Sequence, residues 1–169
     1  MKTFFSGLFA VLLFGALSAC SGDAGTGAVE VKWDRDSCER CRMVLSDHFY
    51  SAQIRGGHED KKTKVYKFDD IGCAVLWLEQ QPWNQDPRTE VWVNDYQTGD
   101  WIDARKAYYV TGRVTPMAYG LGAQLAFSEG AMDYAQAVAH IHEVEERFNT
   151  PEALGKPPSA DTNNPLSHP

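Results

Sequence analysis

The two ends of this chain confine any folded body to its middle. Residues 21–29 are small and polar, and residues 150–169 carry five prolines among polar residues. Neither segment offers enough apolar surface to offset the entropy of ordering, so we expect both to be flexible. The folded body is therefore predicted to span residues 30–149.

The first 19 residues are typical of a secretory signal peptide. One lysine precedes an apolar run that is too short to cross a bilayer comfortably, and the run ends at Leu17-Ser18-Ala19-Cys20. Small residues before a cysteine resemble a lipobox, although an ordinary signal peptide with an incidental cysteine is the alternative. We expect cleavage after residue 19, lipidation including palmitate at Cys20, and a lipidated tether over residues 20–29. Ser21 favours the outer membrane, which predicts a membrane-anchored lipoprotein facing the periplasm.

Composition excludes some functions. The formal net charge of −7 argues against nucleic acid as a partner, and 43% hydrophobic residues support a globular body. The sequence shows neither a nucleophile, base and oxyanion-hole arrangement nor a glycine-rich phosphate loop. We therefore predict that the protein is not an enzyme.

Hydrophobic periodicity predicts an α+β fold. Alternating apolar residues at 50–54 and the run Val65 to Phe68 indicate a hairpin with a long polar loop, and Asp69-Asp70 offers an N-cap to a helix over residues 71–79. This order is β-β-α.

A second β-β-α order follows. Strand candidates at residues 91–93 and 108–110 flank turn residues at 98–100, and a helix is predicted from about Gly130 to Phe148, before Pro151. We expect two small β-β-α(-β) units packed side by side, over about residues 30–96 and 97–149.

The densest group of soft ligands is Cys38-Glu39-Arg40-Cys41-Arg42-Met43, in an irregular segment before the first strand. Thiolate and thioether sulfurs favour Cu(I), whereas Zn(II) prefers four ligands from cysteine, histidine and carboxylate. The methionine two residues after Cys41 favours copper. Two interpretations stay open from the residues alone: Cys38 and Cys41 could form a structural or redox disulfide, and Met43 could fill the core.

Other candidate residues carry weaker signals. Met117 follows a proline in a glycine-punctuated loop at residues 114–122, where it could either present its sulfur outward or pack beneath the loop. Cys73 is expected to be a small buried residue in the first turn of the predicted helix. The four histidines of the body are scattered, and His140 and His142 cannot share one helix face, so no histidine is assigned as a ligand.

Several separate blocks resemble one protein family. In chain order they are Cys41-x-Met43, Phe68-Asp69-Asp70-Ile71-Gly72-Cys73, Trp101-Ile102-Asp103-Ala104, Tyr109-Val110-x-Gly112 and Thr115-Pro116-Met117-x-x-Gly120. Together they resemble the NosL family of copper-binding lipoproteins from about Cys38 to Phe127. Blocks in the right order are much more specific than any one of them.

The resemblance implies an accessory protein of nitrous oxide reductase that binds Cu(I) and helps supply the enzyme's copper-sulfide centre during denitrification. The family's ligands fall on Cys41, Met43 and Met117 of this chain. The family usually has glycine where Arg42 stands here, and Cys38 is an added thiol whose contribution to the metal stays open.

These observations favour a periplasmic copper chaperone. The resemblance implies the reductase and its accessory assembly proteins as partners, the lipobox implies a membrane anchor, and a homo-oligomer or a hetero-dimer with a related protein stays open. A thiol-disulfide redox protein using Cys38 and Cys41, a general copper-buffering lipoprotein and a purely structural lipoprotein are the alternatives. The redox alternative would place its C-x-x-C at a helix N-terminus, and no helix cap precedes Cys38.

Overall fold

The computed structural model describes residues 23–149, with no side chain described for Asn149. The predicted signal peptide, the lipidation site Cys20 and the predicted tail at residues 150–169 lie outside this range. Neither helix between residues 23 and 149 combines the length and the apolar character needed to cross a bilayer.

The described chain has an α+β fold, which confirms the predicted class. Its elements are β1 (Ala52–Gly56), β2 (Lys64–Phe68), α1 (Ile71–Glu79), β3 (Glu90–Asn94), β4 (Trp101–Asp103), β5 (Tyr108–Val110), β6 (Gly122–Gln124) and α2 (Tyr134–Asn149). Four strands form an antiparallel sheet in the order β2-β1-β3-β4, and β5 pairs with β6 in a second, antiparallel sheet.

The β-β-α order occurs twice, as β1-β2-α1 and β5-β6-α2, but the two units are unequal. The strand predicted at residues 91–93 does not join residues 108–110; it is β3, and it pairs with β1. A turn then folds β4 back onto β3, with the Gly99 N–H donating to the Asp95 carbonyl at 2.8 Å. The boundary predicted near residue 97 therefore falls inside the larger sheet.

Strand β1 is buried on both faces, which explains the course of the N-terminal segment. Ile54 contributes to the core, whereas Gln53 and Arg55 point to the other face because side chains alternate along a strand. The Gln53 amide pairs with the N–H and carbonyl of Val29, and Arg55 binds Asp23 and the Gly27 carbonyl. Residues 23–29, predicted as part of a flexible tether, thus lie on the sheet.

Helix α1 begins where the sequence predicts. The Asp70 side chain accepts a hydrogen bond from the Gly72 N–H at 3.1 Å. As the N-cap, Asp70 thereby satisfies a backbone N–H of the first turn that has no acceptor within the helix. Gly72 is required for packing, since a Cβ there would lie 2.2 Å from the Tyr119 ring. The N-terminus of α1 is therefore closed by the loop that contains Tyr119.

Helix α2 begins at Tyr134, four residues later than predicted. The Asp133 carboxylate accepts from the Gln136 N–H and the Gln136 side chain accepts from the Asp133 N–H, both at 2.9 Å. This reciprocal capping box fixes the start of the helix.

Candidate metal site

A short hairpin positions the predicted cysteines. The Cys38 N–H donates to the Met43 carbonyl at 2.8 Å, the Arg42 N–H donates to the Cys38 carbonyl at 3.1 Å, and Ser37 pairs with Val44. To close this turn, Arg42 adopts a φ of 67°, a left-handed conformation that favours glycine. The glycine expected at this position from the family resemblance therefore has a conformational reason.

The hairpin is attached to the end of strand β2. The Glu39 N–H donates to the Lys67 carbonyl at 2.8 Å, and the Lys67 ammonium forms an ion pair with Asp36. Since Lys67 lies two residues before Asp69, these bonds bring the cysteine hairpin to the N-terminus of α1.

Asp69 contacts Cys41 directly. The Cys41 Sγ donates to the Asp69 Oδ2 at 3.1 Å. The carboxylate is only 2% exposed, and its Oδ1 has no hydrogen-bond partner among the described residues. A buried polar oxygen without a partner costs free energy and is uncommon in folded proteins, so this atom marks a place where a ligand would be favourable.

Four side chains form a cluster here. The Sγ atoms of Cys38, Cys41 and Cys73 and a carboxylate oxygen of Asp69 all lie within 4.8 Å of one another. All three cysteines are free; Cys38 and Cys73 are fully buried and Cys41 is half-buried. This cluster is compatible with metal binding.

The three thiols have unequal proton affinities. The hydrogen bond from Cys73 lowers the pKa of Cys38 and raises that of Cys73, and the Cys41 N–H also donates to the Cys38 Sγ at 3.5 Å. Burial raises the pKa of Cys41. The metal-free site therefore favours a thiolate at Cys38, and a metal that binds Cys41 must displace its proton.

The loop that contains Met117 contacts Asp70, the residue next to Asp69. Asp70 Oδ2 accepts a hydrogen bond from the Thr115 hydroxyl at 2.6 Å and from the Met117 N–H at 3.2 Å. Ala118 has a φ of 59°, so a residue in the left-handed region directly follows Met117, as Arg42 follows Cys41. Adjacent carboxylates thus hold the Cys41 hairpin and the Met117 loop beside each other.

A second set of contacts ties these two loops together. The Arg40 guanidinium donates to the Tyr119 hydroxyl at 3.1 Å and to Glu145 at 2.6 Å, and the Tyr119 hydroxyl donates to Glu145 at 2.6 Å. Glu145 of helix α2 therefore contacts both the Cys41 hairpin, at Arg40, and the Met117 loop, at Tyr119.

The predicted ligands differ in burial. Met43 is 49% exposed, which excludes the alternative that it fills the core, whereas Met117 is partly buried against the core. Cys38, whose contribution the sequence leaves open, is a buried member of the cluster. Sequence reasoning missed Asp69 as a member, although a helix needs only one capping carboxylate and Asp69-Asp70 supplies two. His140 and His142 point apart, to the Tyr119 carbonyl and to Glu79.

Comparison with known proteins agrees with the resemblance in the sequence. No curated protein sequence matches significantly. A solved structure described as the copper chaperone NosL from Shewanella denitrificans is 20% identical, covering 70% of this chain and 88% of that chain, with a TM-score of 0.40. The NosL family matches residues 29–143, which include both loops of the site. The chain therefore belongs to the NosL family.

Proposed function

We propose that this protein binds Cu(I) through the Cys41 thiolate and the Met43 and Met117 thioethers and delivers it as a chaperone. The observation that supports this most is the pair Asp69-Asp70, which contacts the Cys41 hairpin through one carboxylate and the Met117 loop through the other. Few soft ligands on two loops suit an ion that must be both held and released. Membership of the NosL family supports the choice of metal.

The redox alternative finds less support. Cys38 and Cys41 lie in a hairpin before β1 and not at the start of a helix, where the helix dipole would activate a thiol. We assign the protein no catalytic activity.

Competition for Cu(I) tests the proposed ligands. The purified chain is titrated anaerobically against a chromophoric Cu(I) chelator. Cys41→Ser should weaken binding most, by about a hundredfold or more, because it removes the only charged ligand while its hydroxyl can still donate to Asp69. Met43→Leu and Met117→Leu should each weaken it by about tenfold, since they conserve volume but remove a sulfur.

Met132→Leu is the matched control. Met132 is partly buried, and its backbone pairs with Tyr109 rather than with any residue of the proposed site. It should bind Cu(I) like the unsubstituted chain. Full affinity in Cys41→Ser, or a Met43→Leu/Met117→Leu double variant that binds every equivalent of Cu(I) taken up by the parent chain with unchanged affinity, would show that the ligands are wrong.

We also propose that the copper is delivered to nitrous oxide reductase, with its accessory proteins as further partners, in the periplasm. A strain without this protein, grown with limiting copper, should make the reductase with a copper-poor copper-sulfide centre. Restoration by the parent gene but not by Cys41→Ser would link that defect to the site. Normal reductase copper alongside disturbed copper content elsewhere in the envelope would favour general copper buffering.

The lipid anchor is a separate proposal that rests on Leu17 to Cys20. Mass spectrometry of membrane-extracted protein should find a mature chain that begins at a lipidated Cys20, and Cys20→Ser should abolish that form. An unmodified chain beginning elsewhere would contradict it.

A further inference from the structure

Two of the three thiols in the cluster are not among the proposed copper ligands. Cys38 and Cys73 are fully buried, whereas Met43 is half-exposed and Cys41 is intermediate. Cys41 therefore belongs both to the proposed ligand set, in which Met43 is exposed and Met117 is partly buried, and to a cluster whose other two thiols are fully buried. These two buried thiols have no role in the function proposed above.

The sulfur positions fit a single metal ion. With metal–sulfur bonds of about 2.3 Å, two sulfurs on one ion lie at most about 4.6 Å apart, and about 4.0 Å apart in a trigonal site. The three Sγ atoms already lie within 4.8 Å of one another. Small side-chain rotations can complete a three-sulfur site.

Asp69 supplies an independent observation. Its Oδ1 is buried and has no hydrogen-bond partner among the described residues, and the carboxylate belongs to the same cluster as the thiols. A cation held by the sulfurs would offset the cost of this buried negative group. A carboxylate is a hard ligand and the sulfurs are soft, so we expect it to balance the charge of the cation rather than to bind Cu(I).

We infer that Cys38, Cys41 and Cys73 form a second, inner Cu(I) position that shares the Cys41 sulfur with the outer position at Met43 and Met117. This inference rests on the proposed function. No redox change is involved: each S–H that binds copper releases its proton to solvent, and copper remains Cu(I) throughout.

Charge favours two ions over one. A single Cu(I) bound by all three thiolates at the inner position would leave two uncompensated negative charges beside Asp69, whereas a second Cu(I) on the shared Cys41 sulfur leaves one. Since buried charge is costly unless compensated, the bridged arrangement is the more stable.

Copper stoichiometry tests the inference. The full chain carrying Cys20→Ser, so that only the three described thiols are counted, is titrated anaerobically with Cu(I) in the presence of a Cu(I) chelator. It should retain two equivalents. Cys38→Ala/Cys73→Ala should retain one equivalent, at the outer position, and Met43→Leu/Met117→Leu should also retain one, at the inner position.

X-ray absorption of the unsubstituted thiol set gives a second measurement if the double cysteine variant does not fold. With two equivalents bound, copper should have sulfur ligands only, with a short copper–copper distance across a shared sulfur. Circular dichroism of each metal-free variant checks folding. In Met43→Leu/Met117→Leu, the remaining copper should have three thiolate sulfurs.

Results that contradict the inner position can be distinguished from results that contradict the proposed function. Saturation at one equivalent would overturn the inner position, and full affinity of that single ion in Cys38→Ala/Cys73→Ala would leave the proposed function intact. Uptake of Zn(II) in place of the second Cu(I), or a Cys38–Cys73 disulfide that reduction must open before the chain binds its single copper, would also overturn it. If no variant and no parent chain binds Cu(I), the proposed function itself fails.

Discussion

Single residues in unfavourable backbone conformations flank the candidate ligands. Arg42 separates Cys41 from Met43 with a φ of 67°, and Ala118 follows Met117 with a φ of 59°. The left-handed conformation costs a residue with a Cβ about 1–2 kcal/mol, and such strain is found often at functional sites. Both ligand loops therefore hold a strained residue beside a proposed copper ligand.

Arg42→Gly should stabilise the metal-free protein by about 1 kcal/mol, because glycine adopts a positive φ at little cost. The exposed Arg42–Glu39 pair that is lost contributes little. Urea unfolding measures the gain. Arg42→Ala is the control, since it removes the charge and keeps the strain. Equal stability of the two variants would mean that the backbone is not strained.

Some helices and strands can be predicted from local sequence patterns and others cannot. The hairpin β1-β2 and helix α1 follow from local patterns, namely alternation along the strands and Asp70 as N-cap. Strands β4, β5 and β6 have three residues each, too few for periodicity to reveal, and of these only the Tyr-Tyr-Val run of β5 stands out by its content of strand-forming residues. Helix α2 starts at Tyr134 and not near Gly130 because Asp133 and Gln136 form a reciprocal side-chain cap.

The candidate site was only partly predictable for a different reason. Cys38, Cys41 and the loop with Met117 stand out in the sequence because soft ligands on loops are uncommon. The approach of Cys73 and Asp69 to Cys38 depends on the hairpin docking against β2 through the Lys67 carbonyl. No local pattern encodes a tertiary contact of this kind.

Helix α1 positions the site through its close contact with Tyr119. Gly72→Ala should destabilise the protein by about 1–3 kcal/mol, because the new Cβ would overlap the Tyr119 ring, whose hydroxyl is held by Arg40 and Glu145. It should also weaken Cu(I) binding, since Tyr119 is two residues after Met117. Chemical denaturation and chelator competition measure the two effects.

A second substitution tests the cause. In Gly72→Ala/Tyr119→Leu the smaller side chain leaves room for the Cβ, so the double variant should lose less stability than the sum of the two single variants. Strict additivity would show that the overlap is not responsible.

At the scale of the whole molecule, the N-terminal segment completes the larger sheet. Arg55 is 1% exposed, and its charge is compensated by Asp23 at 2.6 Å and by Glu90 at 4.0 Å. The Thr26 hydroxyl and the Gly27 N–H also donate to Glu90. A buried guanidinium requires such partners, so residues 23–27 behave as part of the folded body.

Stability should fall as pH drops from about 5 toward 3. Hydrogen bonds from Arg55 lower the pKa of Asp23; burial alone would raise the pKa of Glu90, but hydrogen bonds from Thr26, Trp92 and Gly27 lower it. Carboxyls with a lowered folded pKa stabilise above their unfolded pKa, and that contribution is lost as pH falls through the folded value. Urea titrations at several pH values measure the slope.

Asp23→Asn separates this segment from the other acidic groups. It removes one of the two titrating partners of Arg55, so its stability should depend less steeply on pH over the same range, and amide exchange at Gly27 should be faster. A slope identical to that of the parent chain would show that Asp23 does not contribute.

If the proposed lipid anchor is present, the docking of Asp23 onto Arg55 would also limit the distance between the domain and the membrane. Only two residues, Ser21 and Gly22, would then separate the lipidated Cys20 from Asp23, and these three Cα–Cα steps can extend to about 10 Å at most. A free segment as far as residue 29 would reach about 30 Å. The body would therefore stay beside the lipid headgroups with restricted rotation, so a recipient of copper would have to approach the bilayer surface to collect it.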